Sequence, residues 1–154
     1  MITAVDTNAF LAILYEDEHT DRSEAALRRA YQAGRVVTTP IVYAELAADG
    51  HFETQAAVDA FLEDFSIQLV EPSRSALYVA GERFQRYVER RPSGLQCPEC
   101  GTRQAVTCND CGTALGPRQH IAADFLIGGH AATEADRLLR SEERRVGKEC
   151  IVKC

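Results

Sequence analysis

Short apolar runs alternate along this chain with longer segments of helical period, and this alternation restricts the fold more than any other feature. The strand-like runs are residues 2–6, 36–38 and 67–70, with a fourth strand starting at 137–139. Apolar residues recur at helical spacing in residues 7–15, 20–33, 54–65, 73–91 and 118–133, and Thr39-Pro40 opens a further helix. Strands separated by helices predict an α/β fold with a parallel sheet and helices on both faces.

The size and composition of the chain fit one soluble domain. Its 154 residues are enough for a real core, and 45% hydrophobic with 26% charged residues is ordinary for a globular protein. No run is apolar and long enough to span a membrane, and no signal peptide is evident. We therefore expect a cytoplasmic protein. Its net charge of -6 does not favour nucleic acid, so a nuclease of this composition must bind through a local basic patch and through its metal ions.

Three carboxylates lie in strongly apolar settings. Asp6 ends the first strand, Glu45 lies on the helix that follows the second, and Asp124 lies within the apolar stretch 121–127. Such groups are costly to bury unless they share a proton or a cation. The carboxyl ends of parallel strands meet at one edge, and hard oxygen ligands select Mg²⁺ or Mn²⁺. Each acid alone could instead be a cap or a surface group, and Asp6 suits the N-cap of the next helix.

Four cysteines form two tight pairs. They are Cys97, Cys100, Cys108 and Cys111, in the pattern CxxC-x7-CxxC, and a glycine follows each pair. This spacing is typical of a structural zinc site with four thiolates. Thiol redox chemistry is the competing interpretation, but a redox CxxC would open a helix beside a strand. We predict that residues 94–117 form an inserted zinc ribbon that binds Zn²⁺.

Basic side chains near this insert admit two interpretations. Arginines at 83, 86, 90 and 91 precede it, and arginines at 103 and 118 flank the cysteines. They could contact phosphates, or they could be solvated partners of the many acids. His120 and His130 lie near Asp124 in sequence, where a histidine could orient a ligand or contact substrate, although a packed or exposed histidine is commoner.

Three stretches resemble PIN-domain ribonucleases of the VapC toxin type. They are Val-Asp-Thr-Asn at 5–8, Pro-Ile-Val-Tyr-Ala-Glu-Leu at 40–46, and Ile-Ala-Ala-Asp-Phe-Leu-Ile-Gly-Gly-His-Ala at 121–131, the last followed by Ala-Asp-Arg-Leu-Leu at 135–139. The resemblance implies a PIN-like three-layer fold made from residues 1–93 and 118–139. It also implies Mg²⁺- or Mn²⁺-dependent endonucleolytic cleavage of RNA, an antitoxin partner and a homodimer.

Carried over by position, Asp6, Glu45 and Asp124 would be catalytic metal ligands, and Asn8, or Thr7 before it, would orient Asp6. Two other functions stay open. The chain could be a PIN nuclease of RNA processing, or a catalytically inactive PIN scaffold whose zinc ribbon is an interaction module.

The last residues depart from the family pattern. The family continues after Leu-Leu with Thr-Arg-Asp, whereas this chain reads Arg140-Ser141-Glu142, which leaves Glu142 as a substitute fourth metal ligand. No lysine occurs before Lys148, and residues 140–150 resemble the translation of a sequencing adapter. We expect residues 140–154 to be a non-native tail that packs weakly, and the family's last strand to be absent.

Overall fold

The computed structural model describes residues 1–16, 20–91, 93–97, 99–116 and 121–141. Its strands are β1 (Ile2–Val5), β2 (Arg35–Thr38), β3 (Gln68–Leu69), β4 (Leu95–Gln96), β5 (Arg103–Gln104), β6 (Val106–Thr107), β7 (Ala114–Leu115) and β8 (Arg137–Leu139). Its helices are α1 (Thr7–Leu14), α2 (Thr20–Ala33), α3 (Pro40–Asp49), α4 (Gln55–Asp64), α5 (Arg74–Arg90) and α6 (Ala123–Glu134). Within these ranges, no helix combines the length and the apolar character needed to cross a membrane.

The central sheet has the order β3-β2-β1-β8, and every neighbouring pair is parallel. Ala4 of β1 lies opposite Val37 of β2 and Leu138 of β8. The ladder continues one residue beyond β1, where the Asp6 amide donates to the Leu139 carbonyl over 2.9 Å. The predicted α/β architecture with a parallel sheet is therefore confirmed, and it brings the carboxyl ends of β1 and β8 together.

Alternation along the strands divides the core between the two faces of the sheet. Val5 and Val36 belong to the larger buried cluster, which contains Phe10, Leu46 and Phe61 from the helices. Ala4 of β1 and Val37 of β2 point to the opposite face of the sheet. There they form a smaller buried cluster with Ala131 of α6. Side chains on both faces are thus removed from water, as expected for a parallel sheet between helices.

Helices α5 and α6 pack closely, and small residues of α5 form the contact. Leu77 is 45% exposed, whereas Ala76 and Ala80 are buried. Gly129 of α6 explains the difference, because a Cβ there would lie 2.6 Å from the Ala76 carbonyl oxygen and 2.8 Å from the Ala80 Cβ. Small residues let the helices approach, so the face of α5 that meets α6 is the alanine face. Helix α6 also begins at Ala123, not at residue 118.

The segment between α5 and α6 contains two small antiparallel hairpins. One pairs β4 with β5, and the other pairs β6 with β7. Each hairpin carries one CxxC pair at its turn, where the Cys97 amide donates to the Thr102 carbonyl and the Cys108 amide to the Thr113 carbonyl, over 2.9 and 2.8 Å. The two pairs therefore have the same local backbone arrangement.

The start of the predicted tail packs more than expected. Ser141 is only 9% exposed, and Arg140 forms ion pairs with two carboxylates. The expectation of weak packing is wrong for these two residues, because β8 carries them directly to the carboxyl end of β1. Glu142 and the rest of the tail lie outside the described residues, and so does the place of the family's last strand.

Candidate active site

Asp6 lies where the first strand ends and the first helix begins. It has extended backbone angles, and its Oδ1 accepts a hydrogen bond from the Thr7 amide over 2.8 Å, so it is the N-cap of α1. Only 3% of the residue is exposed. The capping interpretation is correct, and it accounts for one carboxylate oxygen. The other oxygen, Oδ2, lies 3.2 Å from Nε of Arg140.

Glu45 reaches the same place from α3. This helix begins at Pro40, and proline is favoured in the first turn of a helix. Glu45 lies on the second turn and is half-buried. The hydroxyl of Thr7 donates a hydrogen bond to Glu45 Oε2. Thr7 therefore contacts both acids, Asp6 through its amide and Glu45 through its side chain. Sequence reasoning assigned Thr7 only to Asp6, because a contact across 38 positions leaves no local pattern.

Asp124 completes the group from the first turn of α6, where an acid also suits the positive end of the helix dipole. It is half-buried. The three acids line one cleft of about 460 Å³, together with Thr7, Asn8, Leu11, Ala48, Asp49, Ala122 and Ala123. The three predicted catalytic acids therefore lie around one cleft at the carboxyl end of the sheet. The two predicted supporting residues, Thr7 and Asn8, line the same cleft.

Burial makes Asp6 an unfavourable place for a negative charge. The pKa of Asp6 lies above its ordinary value, mainly because burial disfavours the ionised form. The Arg140 guanidinium opposes this shift, Asp124 and Glu45 add to it by repulsion, and the Thr7 amide hydrogen bond opposes it. A carboxylate in this position is stabilised by a nearby cation.

Arg140 supplies such a cation in this structure. Its Nε lies 3.2 Å from Asp6 Oδ2, and its Nη2 lies 3.6 Å from Asp124 Oδ1. The sequence pattern places Arg140 in a weakly packed tail and so does not predict this role. The parallel register of β8 with β1 is the signal that could have found it, since Leu139 pairs with Val5 and the following residues then run side by side.

The three acids offer carboxylate oxygens, the type of ligand that Mg²⁺ and Mn²⁺ prefer. The Arg140 guanidinium shows that Asp6 and Asp124 can share one positive charge. Across the described part of the chain, no three His, Cys, Asp or Glu side chains are grouped closely enough to hold a metal ion. The acids therefore share a cleft without forming a compact ligand shell.

The cysteines form two separate pairs. Among the described residues, the sulfurs of the two pairs do not come together as a group of three or more ligands that could hold a metal ion. The pKa of Cys100 is lowered to about 7, mainly by its hydrogen bond with the Thr102 hydroxyl, whose oxygen lies 3.3 Å from Sγ. Thr113 lowers the pKa of Cys111 in the same way. Thiolates at neutral pH are the form that binds zinc.

Most of the other candidate residues have structural partners. Arg86 pairs with Glu82 over 2.8 Å, and the Arg91 guanidinium lies 5.9 Å from the centre of the Tyr87 ring. His130 is 2% exposed, and its Nδ1 lies 2.7 Å from Glu134 Oε2. These contacts favour packing and surface roles. Arg118 and His120 lie outside the described residues.

Comparison with known proteins identifies the fold. A model of the PIN domain matches residues 3–97. The chain belongs to the PIN-domain family. The matched residues include Asp6 and Glu45, whereas Asp124 lies beyond them. PIN domains are generally nucleases.

A solved structure shares the fold of this PIN domain. It is the VapBC2 complex from Rickettsia felis, bound to a DNA fragment from its promoter. The TM-score is 0.53 at 18% identity, with 85% of this chain and 80% of that chain covered. No curated protein sequence matches the chain significantly.

Proposed function

We propose that this PIN-domain protein is a divalent-metal-dependent endoribonuclease, the toxin of a toxin–antitoxin pair. The observation that carries the proposal is the convergence of Asp6, Glu45 and Asp124 on one cleft at the carboxyl end of a parallel sheet. Ligands of such sheets bind at this edge. The VapBC2 complex with the same fold supports an antitoxin as partner, and a homodimer is part of the same proposal.

The three acids would hold Mg²⁺ or Mn²⁺. Such an ion, when bound, lowers the pKa of a coordinated water and neutralises charge on a phosphoryl group. The chain itself contributes rigid positioning. Thr7 fixes Asp6 through its amide and Glu45 through its hydroxyl, so both acids are held in one geometry before substrate arrives.

The charge of the protein gives the cation a second role. With a net charge of -6 and three acids in the cleft, the protein repels an RNA phosphate. Arg140 lies within ion-pairing distance of two of these acids, and it already pairs with Asp6 and Asp124. Positive charge added to the cleft therefore strengthens the binding of a phosphate there.

The position of Arg140 favours one alternative for this particular chain. A guanidinium between Asp6 and Asp124 stands where a divalent cation would neutralise them, which would suit a catalytically inactive PIN scaffold. In that case the cysteine-bearing hairpins would be the functional part. A PIN nuclease of RNA processing has the same site and differs only in its partner.

We also propose that the two CxxC pairs bind one structural zinc. Their matched hairpins, lowered thiol pKa values and spacing support this. The pairs would have to approach each other for four sulfurs to share the ion, and such coupling of metal binding to folding is common in small metal-binding modules.

The test is RNA cleavage with purified wild type and Asp6→Asn. Wild type should cleave single-stranded RNA with Mg²⁺ or Mn²⁺ and lose activity in EDTA. Asp6→Asn should be inactive although thermal unfolding shows that it is folded. Metal-dependent cleavage by Asp6→Asn at the wild-type rate would refute the assignment.

A further inference from the structure

One side of the acidic cleft continues into an exposed aromatic group. Asn8 and Leu11 of α1 line the cleft, and Tyr15 follows Leu11 by one helical turn. The Tyr15 amide still bonds to the Leu11 carbonyl over 3.0 Å, so the ring extends the same side of the helix. Tyr15 is 55% exposed. A large ring therefore lies in water beside the cleft.

Two residues at the end of α3 hold this ring in place. The Tyr15 hydroxyl donates a hydrogen bond to Asp49 Oδ2, and Asp49 also lines the cleft, one turn after Glu45. Gly50 then ends α3 with φ +86°, a conformation that favours glycine. This turn places the His51 ring edge-on to Tyr15, with centroids 5.6 Å apart.

The group is anchored in the core. His51 contacts Phe52 with ring centroids 5.1 Å apart, and Phe52 contacts Phe61 at 5.3 Å. Phe61 is 9% exposed and packs against Phe10. An exposed ring with this support is preorganised, so little conformational entropy is lost when a ligand stacks on it.

We propose that Tyr15, held by Asp49 and His51, is a stacking subsite for a nucleobase of single-stranded RNA. The inference rests on the proposed function, since the base belongs to the strand whose phosphate enters the cleft. Single-stranded RNA is commonly recognised by stacking of unpaired bases on aromatic side chains, which tolerates any sequence. Stacking also supplies affinity that this acidic surface cannot gain from phosphates.

The surroundings of Tyr15 favour a base over a protein partner. Among the described residues, its hydroxyl donates to the Asp49 carboxylate and its ring meets the His51 ring edge-on, so polar groups lie beside the ring. A protein interface usually buries a contiguous apolar patch around such an anchor. A base needs only the face of one ring and polar groups near its edge.

The test measures binding separately from cleavage. Short oligoadenylates, each with 2-aminopurine at one position in turn, are titrated with protein in EDTA, where fluorescence reports stacking. Tyr15→Ala should weaken binding on the order of tenfold and abolish the quench at one position. Tyr15→Phe should keep most of the quench, because it loses the hydrogen bond to Asp49 but retains the ring. Tyr78→Ala is the matched control, since Tyr78 is 76% exposed on α5 and does not line the cleft.

The outcomes separate the two proposals. If wild type binds and cleaves RNA but Tyr15→Ala binds as tightly with the same quench, the proposed subsite is wrong and the proposed function stands. The exposed ring would then be a contact for a protein partner. If Tyr15 governs binding but no cleavage occurs with Mg²⁺ or Mn²⁺, the subsite stands and the nuclease proposal fails. If wild type does not bind the oligonucleotides, the subsite is refuted.

Discussion

The Nε atom of Arg140 lies 3.2 Å from Oδ2 of Asp6, so a cation carried by the last described strand neutralises the buried acid at the end of the first. The same guanidinium lies 3.6 Å from Asp124. It is only 31% exposed, so solvent screens the pair incompletely. This makes Arg140 a competitor for any cation that the acids bind.

Arg140→Ala is therefore expected to raise Mn²⁺ affinity on the order of tenfold, equivalent to about 1.4 kcal/mol. Calorimetric titration of Mn²⁺ into RNA-free protein measures this directly. Arg86→Ala removes an exposed ion pair far along α5 and should change nothing. Weaker Mn²⁺ binding by Arg140→Ala would mean that Arg140 holds the acids in place and does not compete with metal.

Asp6 should make the stability of the metal-free protein depend on pH. Burial raises its pKa in the folded state, so its contribution to stability is fully present below about pH 4 and is lost as pH rises through the raised value. Asp6→Asn lacks this loss. Thermal unfolding across this range should show wild type falling relative to the variant as pH rises, whereas the exposed-site variant Glu63→Gln should follow wild type. A wild type that becomes more stable relative to Asp6→Asn as pH rises would contradict the expected sign.

The Thr7 hydroxyl should matter for catalysis through Glu45. Thr7→Val keeps the size of the side chain but removes the donor to Glu45 Oε2, leaving that carboxylate free to rotate. RNA cleavage should slow by about tenfold to a hundredfold, because small misplacements of catalytic groups are costly. Thr7→Ser retains the hydroxyl and should restore most of the rate. Equal rates for the valine variant and wild type would show that Glu45 needs no such partner.

Two glycines give a matched pair for the packing of α6. A Cβ at Gly129 would overlap the backbone of α5, whereas a Cβ at Gly81 meets nothing within 4 Å. Gly129→Ala should lower the free energy of unfolding by about 1–3 kcal/mol, and Gly81→Ala should be neutral or raise it by about 0.5–1 kcal/mol. Urea unfolding of both variants is the measurement. A harmless Gly129→Ala would mean that α6 can move away from α5 at little cost.

Alkylation tests the zinc proposal without RNA. The Thr102 hydroxyl lowers the pKa of Cys100 to about 7, so metal-free protein should react with iodoacetamide at Cys100 near neutral pH. Thr102→Val should raise that pKa and slow the reaction. Added zinc should protect all four cysteines, with about one zinc per chain by elemental analysis. Rapid alkylation that zinc does not slow would refute the site.

The sequence predicted the sheet and the positions of the acids because both depend on local patterns. Asp6 follows an apolar strand directly, and Glu45 and Asp124 lie on helices whose order fixes which edge they reach. The roles of these acids remain predictions. The contacts of Arg140 and Tyr15 could not be predicted in this way, because each joins elements that are distant in sequence. The covered face of α5 could not be predicted either, since Gly129 on another helix decides which residues are covered.

The close antiparallel packing of α5 and α6 also separates two parts of the molecule mechanically. Phe125 near the start of α6 contacts Phe84 and Tyr87 near the end of α5, with ring centroids 5.3 and 5.4 Å apart. The two helices that flank the cysteine-bearing segment are thus held side by side by contacts outside it. A change in the length or sequence of that segment therefore leaves the acids in their places, so the hairpins and the cleft can be altered independently.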